Sequence, residues 1–242
     1  MRVKAVIAYD GSSFEGFQRQ KRTKNTITTA IEDALKSLGI TSQIVGSGRT
    51  DARVHATGQV IHFDLPPFWQ TQPLQKLQTH LNRKLEAIRF REIVEVSPLF
   101  HARFDAKRRR YRYIFKREAP TVFERNYISY LEIESISKLK EALSGFEGSH
   151  DFEMLSKRGS ETKTTVRTIF KATVKERKNY YFIYLEGDGF LRAQVRAMIA
   201  LAVEFANGKI TKEELLAQIN AKSRATTALA PPNGLYLAGV FY

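Results

Sequence analysis

The sequence predicts an α+β fold, two α/β halves carrying a mixed, mainly antiparallel sheet. Three observations lead there. Short β-rich runs alternate with helical apolar stripes, the same strand–helix–strand–helix rhythm occurs in both halves, and the runs are bounded by Gly, Pro and Asn turn signals. The composition fits an ordinary globular chain, with 242 residues, 43% hydrophobic and 26% charged. That size allows one large domain or two smaller ones, and Ser97-Pro98 is a reasonable boundary, so halves of 1–98 and 99–242 are expected.

The elements follow in order. Val3–Tyr9 is apolar and β-rich, and Asp10-Gly11-Ser12-Ser13 turns the chain. Asn25 is an expected N-cap for a helix with Ile27, Ile31, Ala34, Leu35 and Leu38 on one face, closed by Gly39 as C′ residue. Gln43–Val45 reads as a short strand before the tight loop Gly46-Ser47-Gly48. Val60, Ile61 and Phe63 suit another strand, stopped by Pro66-Pro67. Leu74, Leu77, Leu81 and Leu85 mark a helix face, and Ile88–Val96 a strand.

In the second half, Arg109–Lys116 alternates as a strand. Ile136, Leu139 and Leu143 mark a helix ending before Gly145. Val166–Val174 and Tyr180–Leu185 read as strands paired around Lys178-Asn179. Leu191–Phe205 is an apolar helix stopped by Gly208, Thr211 and Glu214 open one more with a capping box, and Leu235–Phe241 ends the chain as a strand.

No apolar run approaches the ~20 residues a membrane helix needs, and the N-terminus lacks an apolar leader segment. There is no cysteine, which removes disulfides, thiolate metal sites and thiol nucleophiles together and makes a reducing cytoplasm the default expectation. The charge is informative. Lys+Arg number 39 against 25 Asp+Glu, a net +14, with an excess of +5 in residues 1–100 and +9 in 101–242. Both halves are basic, the footprint of a partner for polyanions rather than of a basic tail.

Two stretches concentrate candidate chemistry. In residues 46–58, three glycines and small hydroxyl residues let the backbone approach a ligand, while Arg49 and Arg53 flank Asp51 with cations. A carboxylate so placed serves as nucleophile or base, or else caps a turn with Arg49 neutralising it. His55 and His62 show no recognisable metal-ligand spacing with Asp51, and Gly11 and Gly16 lack the Gly-Lys-Ser/Thr of a phosphate loop. The second stretch, Arg103–Arg117, holds eight cations, Arg108 and Arg110 among them, and a single acid, Asp105. Period-two alternation puts Arg109, Tyr111, Tyr113 and Phe115 on one face and Arg110, Arg112, Ile114 and Lys116 on the other. Cations interleaved with rings suit phosphate neutralisation and base stacking; equally, the rings face a core and the charges face water.

With these residues in view, the chain resembles the tRNA pseudouridine synthase A family. Ala8–Gln20 is similar to its opening motif, and Gly48-Arg-Thr-Asp-Ala-Arg-Val-His-Ala-Thr-Gly-Gln-Val-Ile-His-Phe63 to its catalytic loop. Phe100-His-Ala-Arg-Phe, Arg109–Tyr113, Gly148–Phe152, Gln194–Met198 and Gly234–Leu237 match later landmarks in order. The resemblance implies a pair of α/β halves whose sheets join, with the active site in the cleft between them. It implies isomerisation of uridine to pseudouridine at positions 38–40 of the tRNA anticodon stem-loop, by a homodimer without metal or organic cofactor. Asp51 takes the position of the catalytic aspartate, and Arg49 that of the arginine that displaces the target nucleotide. Tyr111 takes that of the tyrosine packing on the base, Arg196 that of the basic partner of the aspartate, and Leu235 that of the apolar lining of the uracil pocket.

The chain departs from the family pattern at three places: Phe17 for Trp, Leu85-Glu-Ala-Ile for Leu-Pro-x-Asp-Ile, and Arg53 for Gly. Glycine at a position need not mean positive φ, so Arg53 is expected on ordinary backbone, with no stability gained by Arg53→Gly. Two rival readings stand beside the enzyme: a catalytically inert tRNA-binding protein, and a metal-dependent nuclease built on Asp51 and the histidines.

Overall fold

The computed structural model describes residues 1–157 and 163–242, which form two compact units, Met1–Lys107 with Tyr236–Tyr242, and Arg108–Leu235. The fold is α+β, and most strand pairs in both units are antiparallel.

The first unit contains β1 (Arg2–Tyr9), α1 (Ile27–Lys36), β2 (Val45–Gly46), β3 (His55–Asp64), α2 (Pro67–Gln70), α3 (Leu74–Lys84) and β4 (Ile88–Glu95). Its sheet runs β4-β1-β3, with β2 on β3 and the last strand, β10 (Leu235–Phe241), pairing in parallel with β3 at Tyr236 and Leu237. Val3, Ala5 and Ile7 are buried on alternate positions of β1, as the strand period requires, and Ile61, Phe63, Ile31, Leu35, Leu77 and Leu81 are buried in the same unit.

Sequence signals set several ends of these elements. Gly39, at φ 75, closes α1 as expected: Ile40 N–H donates to Leu35 O at 3.0 Å and Gly39 N–H to Lys36 O at 3.0 Å, the paired bonds of a Schellman turn. The N-cap differs from the expectation. It is Thr26, whose hydroxyl accepts from Thr29 N–H, because the Asn25 amide is used instead to hold Ser13 O at 2.6 Å.

The second unit contains β5 (Arg108–Lys116), β6 (Ser129–Tyr130), α4 (Ile136–Ser144), β7 (Gly148–Asp151), β8 (Val166–Arg177), β9 (Tyr180–Gly187), α5 (Gln194–Ala206) and α6 (Lys212–Ile219). The strand order is β5-β9-β8-β7, with β6 parallel to β5. The β8–β9 hairpin turns at Lys178, φ 55, and is longer at both ends than the sequence suggests. The helix expected over 191–205 begins three residues later, after Ala193 at φ 59. Thr211 and Glu214 form the expected capping box. Met198, Ile199 and Leu201 of α5 pack with Leu139, Leu143, Phe146, Tyr113, Phe115, Ile183 and Leu185 in this unit's buried core. No helix among the described residues is long and apolar enough to cross a membrane.

Candidate active site

The loop between β2 and β3 carries Arg49 and Asp51, and the segment after β1 clasps it almost entirely through main-chain groups. Phe17 N–H donates to Thr50 O at 3.0 Å, and Arg53 N–H to Phe14 O at 3.2 Å. The Tyr9 hydroxyl meets Thr50 Oγ1 at 2.8 Å in a buried pair. Two glycines make the approach possible. A Cβ on Gly11 would lie 2.0 Å from Val54 O, and Gly16 adopts φ 110 with its Cβ position 3.0 Å from Thr50 O. Only a residue without a side chain fits the first, and the second also needs glycine's backbone freedom. The opening motif therefore serves as the outer wall of the loop.

The loop is braced from the β3 side as well. Ser47 Oγ donates to Gln59 Oε1 at 2.7 Å, and Gln59 Nε2 donates to Gly48 O at 2.9 Å, with Ser47 and Gln59 both buried. His55 is buried and stacked on Tyr236 with ring centroids 4.7 Å apart, and its Nδ1 accepts from Gly11 N–H at 3.1 Å. His62 is likewise buried, and its Nδ1 accepts from Ala102 N–H at 3.1 Å. Burial, then the charges of Arg2 and His101, hold the His62 pKa down at about 4, which keeps the ring a neutral acceptor. Each histidine thus accepts a main-chain N–H inside the fold. Sequence reasoning missed Tyr9, Thr50 and Gln59 as the loop's supports, since only the fold brings them to it.

Asp51 opens a tight turn: its carbonyl accepts from Val54 N–H at 3.2 Å, and Arg53, third of the four residues, has φ 64. Positive φ at that position is what a type II turn requires, and it favours glycine. The expectation of ordinary backbone at Arg53 is thus overturned. The turn is closed by the Asp51 main-chain carbonyl, on a half-buried residue. Arg49 is exposed and donates from Nη1 to Gln18 Oε1 at 3.0 Å, so its guanidinium is aimed by the clasping segment. Phe17 is buried with its ring over Gly46, where a Cβ would lie 2.5 Å from it.

The remaining candidates belong to the second unit. The expected alternation of β5 holds for Tyr111, Tyr113 and Phe115, which are buried, with Tyr111 edge-on to Phe190 at 5.1 Å between centroids. Lys116 breaks the pattern: it too is buried, 3.3 Å from Glu124 and with its ammonium 5.0 Å from the Tyr180 ring centroid. The Tyr180 hydroxyl and then the Thr121 N–H hold the Glu124 carboxyl down at about 2, so Lys116 faces a full negative charge. The Tyr113 hydroxyl donates to Pro231 O at 3.0 Å, and burial pushes that phenol well above its usual range.

Arg108 and Arg110 share one carboxylate. Glu186 on β9 lies 2.8 Å from Arg108 and 2.6 Å from Arg110, and only about a tenth of its side chain is exposed. The two arginines therefore present a net charge near +1 rather than +2. Glu186 was not anticipated; its signal was a lone acid inside the apolar run Tyr180–Leu185 and its extension. Arg196, in the first turn of α5, donates from Nε to Ala230 O at 2.7 Å while Ala230 N–H donates to Arg196 O at 3.1 Å, a reciprocal pair that fixes the segment leading to Leu235. Leu235 is buried at the start of β10.

Comparison with known proteins places the chain in a family. A family model described as tRNA pseudouridine synthase matches residues 5–105 and 142–242. A protein named tRNA pseudouridine synthase A from Helicobacter hepaticus is 42% identical over 99% of this chain and 98% of its own. Proteins of the same name from Phytoplasma mali and Wolinella succinogenes are 38% and 35% identical, over 99% and 98% of this chain and 98% and 93% of theirs. The chain belongs to the tRNA pseudouridine synthase family.

Proposed function

We propose that the protein isomerises uridine to pseudouridine at positions 38–40 of the tRNA anticodon stem-loop, with Asp51 as the catalytic group. Family membership carries the reaction class. The observation that supports Asp51 is the turn 51–54, closed by the Asp51 carbonyl and clasped by main-chain bonds from Phe14 and Phe17, which fixes the position of this residue in the loop.

The target uridine must leave its stack, at a cost of a few kcal/mol offset by stacking and phosphate contacts. Arg49 assists that displacement, Tyr111 packs on the base, Leu235 lines the uracil pocket and Arg196 is the cation paired with the aspartate. Asp51 either attacks C1′ or removes the C2′ proton to give a glycal; in both routes the N1–C1′ bond breaks and uracil departs with the electron pair. The base turns and C5 bonds to C1′, displacing the Asp51 carboxylate from C1′ in the first route, or with Asp51 returning its proton to C2′ in the second. The C5 proton then leaves to Tyr111 or Asp51 while N1 is protonated. Atoms balance with no cofactor. Arg108 and Arg110 contribute phosphate contacts. The reading includes a cytoplasmic homodimer, to be checked by light scattering.

The test is Asp51→Asn, assayed by tritium release from tRNA labelled at uracil C5. Asn keeps the turn, because the turn uses the Asp51 carbonyl. It is a poor nucleophile and base, so the variant is expected to bind tRNA within a few-fold of wild type and to release no tritium. Release at near wild-type rate by protein shown by mass spectrometry to be undeamidated refutes the assignment. Binding without release by the wild-type protein supports an inert tRNA-binding protein instead, and strand scission abolished by chelator supports a nuclease.

A further inference from the structure

The face of the first unit formed by α3 and β4 holds a groove of about 530 Å³, lined by Arg83, Arg89 and Arg91 together with Gln75, Gln78 and Thr79, and by no carboxylate. Its origin is an edge strand finished by side chains. At Phe90, Asn82 stands in for a neighbouring strand: its Oδ1 accepts from Phe90 N–H at 2.7 Å and its Nδ2 donates to Phe90 O at 2.9 Å, with Gln78 Nε2 donating to the same carbonyl at 2.9 Å. The register against β1 slips by one residue between Phe90 and Glu92, which makes Arg91 the extra residue of a bulge. Bulges re-aim side chains. Here the guanidinium of Arg91 reaches Thr57 O at 2.6 Å, inside the motif that carries Asp51, and so joins the groove to the strand that follows the loop.

We propose that this groove is a second RNA surface, taking phosphodiesters of the tRNA body away from the nucleotide being isomerised. The proposal rests on the reading of the protein as a tRNA-modifying enzyme. Guanidinium and carboxamide donors suit phosphate oxygens, and a chain of net charge +14 already favours a polyanion. The groove offers no exposed ring for a base to stack on, since Phe90 is buried, so the contact is to backbone and indifferent to sequence. It adds reach: an enzyme holding tRNA at the anticodon arm alone gains a second hold on the folded molecule.

The test is the double variant Arg83→Ala/Arg89→Ala, which spares Arg91 and its bond to Thr57. Both residues are exposed, so an unchanged melting temperature is required and expected. Binding to full-length tRNA and to the isolated anticodon stem-loop is followed by fluorescence anisotropy between 50 and 200 mM salt. Full-length tRNA is expected to bind about tenfold more weakly, with the log–log salt slope smaller by ~1.5–2, while stem-loop binding is unchanged. Unchanged tRNA affinity and slope overturn the proposal. So does equal weakening of tRNA and stem-loop, which would make the groove part of the catalytic contact. Inorganic phosphate is a third arm: if it raises the melting temperature of wild type but not of the double variant, with tRNA affinity the same in both, the groove is a free-anion site and the proposal falls. Failure of the function itself is a separate result, wild-type protein forming no pseudouridine.

Discussion

Arg53→Gly tests the strain in the turn beside Asp51. Arg53 has a Cβ at φ 64, a conformation that costs an L-residue roughly 1–2 kcal/mol. Glycine removes that cost but adds about 0.5–1 kcal/mol of backbone entropy lost on folding. The net gain is ~0–1.5 kcal/mol, centred on about 0.75, and at about 2–4 °C per kcal/mol for a chain of this size the melting temperature should rise by up to roughly 6 °C, centred on about 2 °C. Removing one charge from a protein of net +14 also relieves repulsion, so Arg53→Ala is the control. It loses the same charge and keeps the Cβ. Scanning calorimetry should find Gly more stable than Ala by about 1 kcal/mol, since alanine is strained at positive φ. The two variants should bind tRNA alike, each with a salt slope smaller by about 1 at most. Equal stability of Gly and Ala would show that the turn carries no strain.

Tyr111→Ala should weaken tRNA binding by ~1–3 kcal/mol if the ring stacks on a base, while Tyr111→Phe keeps affinity and loses only hydroxyl-dependent chemistry. Equal affinity of wild type and Ala, with the Phe190 packing verified by an intact near-ultraviolet spectrum, removes Tyr111 from that role. Replacing Arg108 and Arg110 together by Ala strands a buried carboxylate and should cost about 1–3 kcal/mol, recovered when Glu186→Gln is added. Urea titrations of the double and triple variants check this, and no recovery in the triple would refute it. His62, held at about 4 in the fold against about 6.5 unfolded, supplies stability that is complete above pH 6.5 and lost as pH falls toward 4. His62→Asn, which keeps an acceptor for Ala102 N–H, should flatten the stability profile over that window, and an unchanged slope in urea unfolding would count against the assignment.

The sequence made local chemistry legible and left non-local chemistry hidden. Gly39, Thr211 with Glu214, and Lys178-Asn179 act on their own neighbours, so a Schellman turn, a capping box and a hairpin could be read directly. β7 could not be: Gly148–Asp151 has no apolar alternation and is a strand only because β8 pairs with it. The N-cap was misplaced by one residue for the same reason, since Asn25 is drawn to Ser13, twelve residues away. At the candidate site, the motif around Asp51 was plain, but its clasp was not. Phe14, Phe17 and Tyr9 act on the loop through contacts that no sequence spacing reports, and the positive φ of Arg53 follows from the turn they enclose.

The cap that Asn82 places on Phe90 bears on the chain's solubility as well as on its grooves. Ile88–Glu95, half apolar and half charged, is a strand at the margin of its sheet, the kind of position that can recruit another chain and seed aggregation. Three devices guard it: a side-chain amide occupying the backbone groups of Phe90, a bulge at Arg91, and exposed Arg89, Arg91, Glu92 and Glu95 along its length. A substitution such as Asn82→Leu would leave the fold's interior untouched and yet unmask this margin, turning a loss of one hydrogen-bonded amide into a fault of colloidal behaviour during expression.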